Sequence, residues 1–236
     1  MIKKYQKDSD YSYTIGFFPT FELLNYKRDK FKYLYVASDA IDSEGFKKLS
    51  ESVERDKIIF SDKVFSKLGI KENGHVLGVF QKYGEELDRD DYHLVLVNPS
   101  DQGNLGNAMR TLLAFGFHNL AIIEPACDHF NPKTIRSSMG AIFHIKIETF
   151  SSFNSYLNKY KKVYYPFVLK DSTPLSQVEF KDSCALVFGN EATGLPSSIY
   201  NENNTKIEQS DEVDSLNLTT SIAIGLYELK KQKGNR

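Results

Sequence analysis

The feature that most constrains the fold is an alternation of short apolar runs with helical patterns in the second half of the chain. Residues 93–97 (HLVLV) have the length and composition of a buried strand, and a glycine-rich loop and a helix from about Asn107 to Phe115 follow them. Gly116 closes that helix, and residues 120–123 (LAII) have the pattern of a further strand. This order predicts a βαβ unit and therefore an α/β fold with a mostly parallel sheet.

The alternation continues towards the end of the chain. Asn131 is placed to cap a helix that has Pro132 at its first position and Gly140 at its end. The other predicted elements are a strand over 142–147, a helix over 151–160, strands over 163–169 and 184–188, and a final helix over about 216–231. These elements extend the sheet and cover it with helices.

The N-terminal third has shorter and less regular elements. Its strand-like runs are at 33–37, 57–60 and 75–80, and a helical pattern lies over 43–54. Residues 85–91 are polar, dense in charge and without periodicity, as in an exposed linker. We therefore expect a small α/β domain over residues 1–84 and a second domain over residues 92–236.

Charge and cysteine content exclude several classes of protein. The 30 basic and 31 acidic residues nearly cancel, so nucleic-acid binding has to come from a local patch. Neither Cys127 and Cys184 nor the five histidines have the spacing of a metal site or a disulfide framework, and we expect no metal. The N-terminus lacks the apolar stretch of a signal peptide, and no run approaches the roughly 20 apolar residues of a membrane span, which predicts a cytoplasmic protein.

Three loops that follow apolar runs hold the candidate functional residues, because ligands of open α/β sheets bind beyond the carboxyl ends of the strands. In the first loop, residues 98–110 (NPSDQGNLGNAMR), the glycines permit close approach of a ligand to the backbone, and Arg110 lies about one turn into the helix. The loop matches neither the dinucleotide-binding nor the Walker-type glycine pattern. A tight turn with a surface arginine is the alternative interpretation.

The second and third loops lie late in the chain. Residues 188–196 (FGNEATGLP) place the carboxylate of Glu191 between two glycines directly after an apolar strand, and we expect a cationic partner for it because burying an unpaired charge is costly. Residues 214–220 (DSLNLTT) open the last helix. Ser215 or Asn217 would cap such a helix in any protein, so capping alone is the alternative to a functional role.

Together the three loops resemble the signature motifs of the SpoU (TrmH) family of RNA 2'-O-ribose methyltransferases, within the SPOUT superfamily. The residues that match are Asn104 and Arg110 in the first motif, Gly189, Glu191 and Gly194 in the second, and Ser215, Leu216 and Asn217 in the third. Ile207 stands nine residues before Leu216, where the family has an isoleucine of the cofactor pocket. The first domain resembles the family's substrate-binding module through residues 16–24 and 74–79.

The chain departs from the family pattern at two places. Asp101 and Gln102 are inserted in the first loop, although the pattern from Gly103 onward is preserved. Thr219 and Thr220 stand where the family often has serine and valine. Neither departure removes a residue that the resemblance marks as essential.

The resemblance implies transfer of a methyl group from S-adenosyl-L-methionine to a ribose 2'-hydroxyl, a C-terminal trefoil knot, and a homodimer with active sites at its interface. It assigns the cofactor pocket to Gly189, Asn190, Gly194, Ile207 and Leu216. It assigns catalysis to Asn104, Arg110, Glu191, Ser215 and Asn217.

Arg110 is the family's candidate for activating the hydroxyl. A guanidinium with a pKa above about 12 is a poor base, so we expect Arg110 to stabilise the developing alkoxide or to hold the adjacent phosphate. Asn104, Ser215 and Asn217 would orient the ribose or Arg110. Glu191 would hold the guanidinium by a bidentate pair.

A basic stretch in the first domain is the candidate RNA contact. Its cations Lys27, Arg28, Lys30 and Lys32 stand among the aromatic residues Tyr26, Phe31 and Tyr33. Phosphate contacts combined with stacking on unpaired bases are a common way to bind RNA, and a solvated charged loop is the alternative. The resemblance favours ribosomal over transfer RNA, because family members with an added N-terminal domain commonly act there, with antibiotic-resistance methylation as a special case.

Three other functions compete with this one. A noncatalytic RNA-binding or assembly factor of the same fold would have no reason to keep Asn104, Arg110, Glu191 and Asn217 together. An enzyme of the superfamily that methylates a base nitrogen would differ in the first and third motifs. A Rossmann-type methyltransferase, with Glu124 as its acidic residue, would not have the two late motifs.

Overall fold

The computed structural model describes residues 2–70, 75–210 and 212–234, and it divides into two compact units. Unit 1 comprises Met1–Tyr83 and Asp128–His144, and unit 2 comprises Gly84–Cys127 and Ile145–Arg236. The segment Asp128–His144 therefore belongs with the N-terminal unit, whereas the sequence places it inside the second domain. Gly74, part of the resemblance to the substrate-binding module, lies outside the described residues.

The elements follow the predicted alternation of strands and helices. In chain order they are β1 (Tyr11–Tyr13), α1 (Phe17–Tyr26), β2 (Phe31–Val36), α2 (Glu44–Ser52), β3 (Ile58–Phe60), α3 (Asp62–Leu68), β4 (Val76–Gln81), β5 (His93–Val97), α4 (Gln102–Ala114), β6 (Asn119–Ile123), α5 (Pro132–Ser137), β7 (Lys146–Phe150), α6 (Phe153–Tyr160), β8 (Tyr164–Pro166), β9 (Thr173–Pro174), β10 (Ala185–Phe188), β11 (Thr205–Lys206) and α7 (Leu218–Lys233). No helix among the described residues is both long enough and apolar enough to cross a bilayer.

Unit 1 is built on a mixed sheet with the strand order β1-β4-β2-β3. β1 and β2 pair with β4 in antiparallel fashion, and β3 runs parallel to β2. Leu23 and Leu24 of α1 are buried, and α1 packs against β4. Val64 and Phe65 of α3 join a buried cluster with Tyr35 of β2, so helices cover both faces of the sheet.

The segment Asp128–His144 is fastened to unit 1 by apolar and polar contacts. The ring of Phe143 packs edge-on against Phe80 of β4, with ring centroids 5.3 Å apart. The hydroxyl of Ser12 on β1 donates a hydrogen bond to the carbonyl oxygen of Phe130 at 2.5 Å. Because these groups are buried, the segment completes the core of unit 1.

Unit 2 contains a sheet with the strand order β7-β6-β5-β10-β8, and every pair in this order is parallel. The predicted α/β fold with a mostly parallel sheet is thus confirmed. β5 and β10 are neighbours in the sheet although 87 residues separate Val97 from Ala185. The first and second candidate loops therefore leave the sheet side by side.

Two predicted boundaries are wrong. Helix α4 begins at Gln102 and not near Asn107, because the side chain of Asp101 caps it by accepting a hydrogen bond from the amide of Asn104 at 2.7 Å. The glycines of the first loop thus lie inside the helix. Strand β7 begins at Lys146, and residues 142–143 of the predicted strand form part of a short 3-10 turn.

Most of the predicted linker 85–91 is exposed, but Leu87 anchors the segment to unit 2. Leu87 is 4% exposed and belongs to the apolar core of unit 2. Its amide donates to the hydroxyl of Tyr160 at 2.9 Å, and the amide of Asp88 donates to the side chain of Asn119 at 2.8 Å. One buried leucine in a charged stretch gives no periodic signal, so composition alone suggested a linker.

Candidate active site

A cavity of about 630 Å³ lies in unit 2, beyond the carboxyl end of β10. It is lined by every predicted catalytic and cofactor residue except Arg110. These residues are Asn104, Gly189, Asn190, Glu191, Gly194, Ile207, Ser215, Leu216 and Asn217. Loops far apart in the sequence therefore converge on one site.

The second loop is held in place by close backbone packing. A Cβ atom added to Gly189 would lie 2.3 Å from the carbonyl carbon of Gly194 and 2.4 Å from the nitrogen of Leu195. Gly194 has a φ of 68°, a conformation that glycine adopts without strain. Its amide donates to the carbonyl oxygen of Asn190 at 2.9 Å, which closes the loop into a tight turn.

Asn190 ties this turn to the end of β5. Its Nδ2 donates to the carbonyl oxygen of Asn98 at 2.7 Å, and its Oδ1 accepts from the amide of Ala192 at 2.9 Å. Asn98 itself has a φ of 53°. The side chain predicted to bind cofactor thus also joins the first and second loops.

Glu191 is partly buried and makes polar contacts to the first loop. One carboxylate oxygen accepts from Nδ2 of Asn104 at 3.2 Å, and the other accepts from the hydroxyl of Ser100 at 3.0 Å. Burial opposes the charge and by itself raises the pKa of Glu191. Hydrogen bonds from its own backbone, Asn104 and Ser100 outweigh burial, so the pKa of Glu191 lies below its ordinary value.

The predicted pairing of Glu191 with Arg110 does not form within this chain. Within the described residues, the partners of the Glu191 carboxylate are neutral amide and hydroxyl groups. Arg110 is exposed on α4, does not line the cavity, and has no hydrogen bond or ion pair to another described residue. Helix geometry explains the separation, because Arg110 is six positions after Asn104 and points to a different side of the helix.

The third loop both caps a helix and lines the cavity. Asn217 caps α7, since its Oδ1 accepts from the amide of Thr219 at 2.9 Å and from the hydroxyl of the same residue at 2.6 Å. Ser215 and Leu216 precede the cap and line the cavity, as does Asn217 itself. Capping therefore positions this loop at the site, and the two interpretations do not exclude each other.

Two phenylalanines form an aromatic wall of the cavity that the sequence does not predict. The rings of Phe167 and Phe188 stack with centroids 4.3 Å apart and an interplanar angle of 20°. A Cβ atom added to Gly225 of α7 would lie 2.9 Å from Phe167 and 3.1 Å from Phe188, so the helix approaches the rings closely. Phenylalanines at strand ends look like ordinary core residues, and no local signal distinguishes them.

Among the residues that the structure describes, the charged side chains that line the cavity are Lys170, Glu191 and Asp214. One cation and two carboxylates give the lining a negative balance. Within the described residues, no group of three or more His, Cys, Asp or Glu side chains is arranged to hold a metal ion.

The predicted RNA-contacting residues lie in unit 1 and differ in their surroundings. The ammonium of Lys27 lies 5.0 Å from the ring centroid of Tyr83, and Lys30 pairs with Asp29 at 2.7 Å. Arg28 and Lys32 are exposed. The four cations therefore do not share one environment.

Comparison with known proteins settles the family of the chain. A model of the SpoU rRNA Methylase family matches residues 91–227, more than half of the sequence. The chain belongs to the SpoU rRNA methylase family. The family resemblance of the three motifs is thus confirmed.

Two SpoU relatives show the extent of the similarity. The 23S rRNA (guanosine(2553)-2'-O)-methyltransferase RlmP of Bacillus subtilis is 32% identical over 136 residues, which are 55% of this chain and 54% of RlmP. The 23S rRNA (uridine(2479)-2'-O)-methyltransferase of Streptomyces viridochromogenes is 24% identical over 208 residues, 81% of this chain and 72% of that enzyme. The match spans only about half the length of RlmP.

Solved SpoU-type structures share the fold. AviRb of Streptomyces viridochromogenes, a SpoU methyltransferase, superposes with a TM-score of 0.83 at 21% identity over 95% of this chain and 90% of AviRb. An AdoMet-bound rRNA methyltransferase from Sinorhizobium meliloti gives 0.79 at 21% identity over 96% and 89% of the two chains. The fold thus extends over nearly the whole chain.

Proposed function

We propose that this protein is an S-adenosylmethionine-dependent RNA methyltransferase that modifies a ribose 2'-hydroxyl. The observation that carries the proposal is the convergence of the three motif loops on one cavity in unit 2. The names of the relatives support it, since RlmP and the Streptomyces viridochromogenes enzyme are both 2'-O-methyltransferases. Membership of the SpoU family supports it independently.

The cavity suits S-adenosylmethionine, which supplies an activated methyl group when bound. The volume of about 630 Å³ is in the range of small-molecule sites. Phe167, Phe188 and Ile207 offer an apolar wall for the adenine ring. The negative balance of the lining complements a ligand whose sulfonium and ammonium outweigh its single carboxylate.

Backbone groups of the loops that contain Gly189 and Leu216 would hold the adenosyl part of S-adenosylmethionine. Because a side chain at Gly189 would collide with the Gly194 turn, the turn presents bare peptide groups at the cavity wall. Such fixed donors and acceptors bind without reorganisation. Lys170 is the cation of the lining and is suited to the amino-acid carboxylate.

Polar side chains of the first and third loops would orient the ribose. Asn104 is fixed by Glu191, and Ser215 and the Nδ2 of Asn217 remain available at the cavity. Arg110 would stabilise the oxyanion that develops on the 2'-oxygen, since its guanidinium cannot accept the proton at neutral pH. The other groups named here would position the hydroxyl for in-line attack.

We propose a homodimer in which Arg110 acts at the cavity of the partner subunit. The exposed position of Arg110 outside its own cavity supports this arrangement. The 60% exposed ring of Tyr227 on α7, which meets Phe115 near the end of α4 edge-on at 6.3 Å, supports a contact surface on this helix pair. The active site would then be complete only in the dimer.

Ribosomal RNA is the proposed substrate, and transfer RNA is the alternative. RlmP and the Streptomyces viridochromogenes relative, both named as 23S rRNA enzymes, support the first. We assign RNA binding to unit 1, which includes the segment Asp128–His144, and not to residues 1–84 alone.

The family's C-terminal knot is also part of the proposal, and the insertion of β10 between β5 and β8 supports it. A ribosomal or transfer RNA substrate would place the protein in the cytoplasm.

Cofactor binding and methyl transfer test the proposal separately. Isothermal titration with S-adenosylhomocysteine should show saturable binding, and radiolabelled methyl donor should label unmodified ribosomal RNA at a 2'-oxygen. Arg110→Ala should lower turnover by about a hundredfold or more while its affinity for S-adenosylhomocysteine stays near that of the wild type.

Three outcomes would contradict parts of the proposal. Absence of binding at millimolar S-adenosylhomocysteine would favour a noncatalytic RNA-binding factor. Labelling of transfer RNA alone would select the alternative substrate. Unchanged turnover of the Arg110→Ala variant would remove this residue from the mechanism.

A further inference from the structure

A second cavity, of about 320 Å³, lies in unit 1. The residues that line it are Ile2, Asp10, Tyr11, Lys32, Tyr33, Tyr35, Val79 and Gln81. They come from β1, β2, β4 and the N-terminal segment, so unit 1 builds this cleft by itself. We call it the tyrosine cleft.

Three tyrosines of the cleft stand on one face of the sheet. Tyr33 and Tyr35 are two positions apart on β2, and Tyr33 lies opposite Val79 of β4. Tyr11 of β1 lies opposite Gln81, two positions further along β4 on the same face. Tyr35 is 8% exposed and forms part of the floor, whereas Tyr33 is 48% exposed and offers its ring to a ligand.

A strand irregularity brings a cation beside this ring. The register of β2 against β4 passes from Phe31 opposite Phe80 to Tyr33 opposite Val79, which leaves Lys32 as an extra residue. A bulge of this kind redirects side chains. Lys32 and Tyr33 are consequently both exposed and both line the cleft, although neighbours in a regular strand point to opposite faces.

The rim of the cleft is polar. Gln81 offers an amide with two donors and an acceptor, and Asp10 offers a carboxylate. The backbone amide of Lys3 donates to the hydroxyl of Tyr11 at 3.1 Å, which brings the basic N-terminal segment to the same end of the sheet. Aromatic ring, cation and amide are the groups that proteins use for unpaired nucleotides.

We propose that the tyrosine cleft binds one unpaired nucleotide of the substrate RNA, with the base stacked on Tyr33, its edge at Gln81 and Asp10, and a phosphate near Lys32. The inference rests on the proposed function, because it takes RNA as the substrate. The cleft has the volume of a small-ligand site, which fits one nucleotide and not a duplex. Duplex RNA would present sugar and phosphate groups in place of a free base.

Fluorescence can report stacking directly, because the chain contains no tryptophan. The Tyr33→Trp variant of the full-length protein should show saturable quenching when titrated with a single-stranded oligouridylate of roughly 12 nucleotides. The matched Phe60→Trp variant, at a 55% exposed residue of the same unit that lies outside both the cleft lining and the basic stretch, should show little change.

Affinity measurements with the same oligonucleotide, labelled with fluorescein, give the energetic test. Tyr33→Ala should weaken binding about 5- to 100-fold, and Tyr33→Phe should bind within about twofold of the wild type because the ring is retained. Lys32→Gln should reduce the magnitude of the negative slope of log affinity against log salt by about 0.7. The matched Lys48→Gln, at an exposed position of α2, should leave the slope unchanged.

Several results would overturn the proposal. These are no binding of the oligonucleotide by the wild type at about 100 µM, equal binding of a duplex of the same length, and unchanged affinity of a folded Tyr33→Ala variant. Equal losses for Tyr26→Ala and Tyr33→Ala would show that the basic stretch as a whole binds RNA. Cofactor titration and methyl labelling distinguish these failures from failure of the proposed function, since neither depends on the oligonucleotide.

Discussion

The sequence predicts that the carboxylate of Glu191 needs partners, but it does not predict which residues these are. The position of Glu191 after a buried strand marks a carboxylate that needs partners, and the structure supplies them. The partners are Asn104 and Ser100, which come from the neighbouring strand's loop and are neutral. No sequence pattern states which strand lies next to β10, so the chemical nature of the partner could not be predicted.

Replacing Glu191 by glutamine should remove a pH-dependent part of the stability. Hydrogen bonds lower the pKa of Glu191 despite burial, so the charged form stabilises the fold above the ordinary glutamate pKa, and this contribution is lost as pH falls through the lowered value. Urea unfolding should show a deficit of about 1 kcal/mol for Glu191→Gln near pH 7. The deficit should diminish at acid pH, as the pH falls through the lowered pKa of Glu191.

The exposed residue Glu202 provides the control for this prediction. Glu202→Gln should match the wild type in unfolding free energy at both pH values, because an exposed side chain is surrounded by water in both the folded and the unfolded chain. A deficit for Glu191→Gln that stays constant with pH would mean that its origin is packing and not charge.

Gly189 should tolerate no side chain. The methyl group of Gly189→Ala would lie within 2.5 Å of backbone atoms of Gly194 and Leu195, so the turn has to move. We expect a loss of about 1–3 kcal/mol in unfolding free energy from overpacking. Titration should also show affinity for S-adenosylhomocysteine reduced by about tenfold or more, equivalent to about 1.4 kcal/mol.

Gly84→Ala is the matched control, since an added Cβ atom there meets no heavy atom within 4 Å and the residue lies outside the cavity lining. It should leave unfolding and ligand affinity unchanged within about 0.5 kcal/mol. Wild-type affinity in Gly189→Ala would show that the turn does not shape the cofactor site.

At the scale of elements, the start of α7 combines capping and site formation in one residue. The Oδ1 of Asn217 accepts hydrogen bonds from Thr219, and the residue also lines the cavity, where its Nδ2 has no hydrogen-bond partner among the described residues. Because aspartate keeps the capping oxygen and removes both N–H donors, one substitution can separate the two roles.

The Asn217→Asp variant should stay as stable as the wild type, within about 0.5 kcal/mol, because a carboxylate is a good cap at a helix N-terminus. Methyl transfer should fall about tenfold or more if the amide donates to the ribose, because removing one oriented donor typically lowers the rate by at least this factor. Asn217→Ala should lose about 0.5–2 kcal/mol of unfolding free energy as well.

The cap of α5 gives a parallel control outside the site. Asn131 accepts from the amide of Lys133 at 2.9 Å, and Asn131→Asp should change neither stability nor methyl transfer appreciably. Full activity in Asn217→Asp would mean that capping is the whole contribution of Asn217.

Elements with a local signal could be predicted, and those fixed by distant contacts could not. The strands around 93–97 and 120–123 and the cap at Asn131 follow from apolar runs and cap chemistry, and they agree with the structure. The start of α4 was missed because glycines favour a loop, although the Asp101 cap overrides them. The burial of Leu87 depends on Tyr160 and Glu148, far along the chain.

At the scale of the whole molecule, the three motifs predicted most of the residues that meet at the cavity, but not the tertiary structure around it. Motif order and spacing placed all but one of the predicted catalytic and cofactor residues at one cavity. The aromatic wall, the grouping of Asp128–His144 with unit 1 and the strand order in the sheet are tertiary features without a local pattern. Arg110 is the exception. Because it lies outside the cavity of its own chain, its proposed role depends on the oligomeric state.

A mixture of two impaired variants tests whether Arg110 acts at the cavity of a partner subunit. Arg110→Ala retains an intact cavity, and Gly189→Ala retains Arg110 but has a damaged cavity. In a heterodimer of the two, the intact cavity of the Arg110→Ala subunit would face the arginine of the Gly189→Ala subunit. Random pairing at equal amounts then restores about a quarter of wild-type activity, because half of the dimers are mixed and each has one complete site.

Co-expression with two affinity tags allows the mixed dimers to be purified and assayed for methyl transfer. At a cofactor concentration well below saturation, purified heterodimers should reach about half of the wild-type rate, while either variant alone should be slower than the wild type by about tenfold or more. If Arg110 acted at the cavity of its own chain, no mixed dimer would contain a complete site and no activity would return. Sedimentation of the wild type at assay concentration decides the remaining case, because a monomer that is fully active would rule out a shared site altogether.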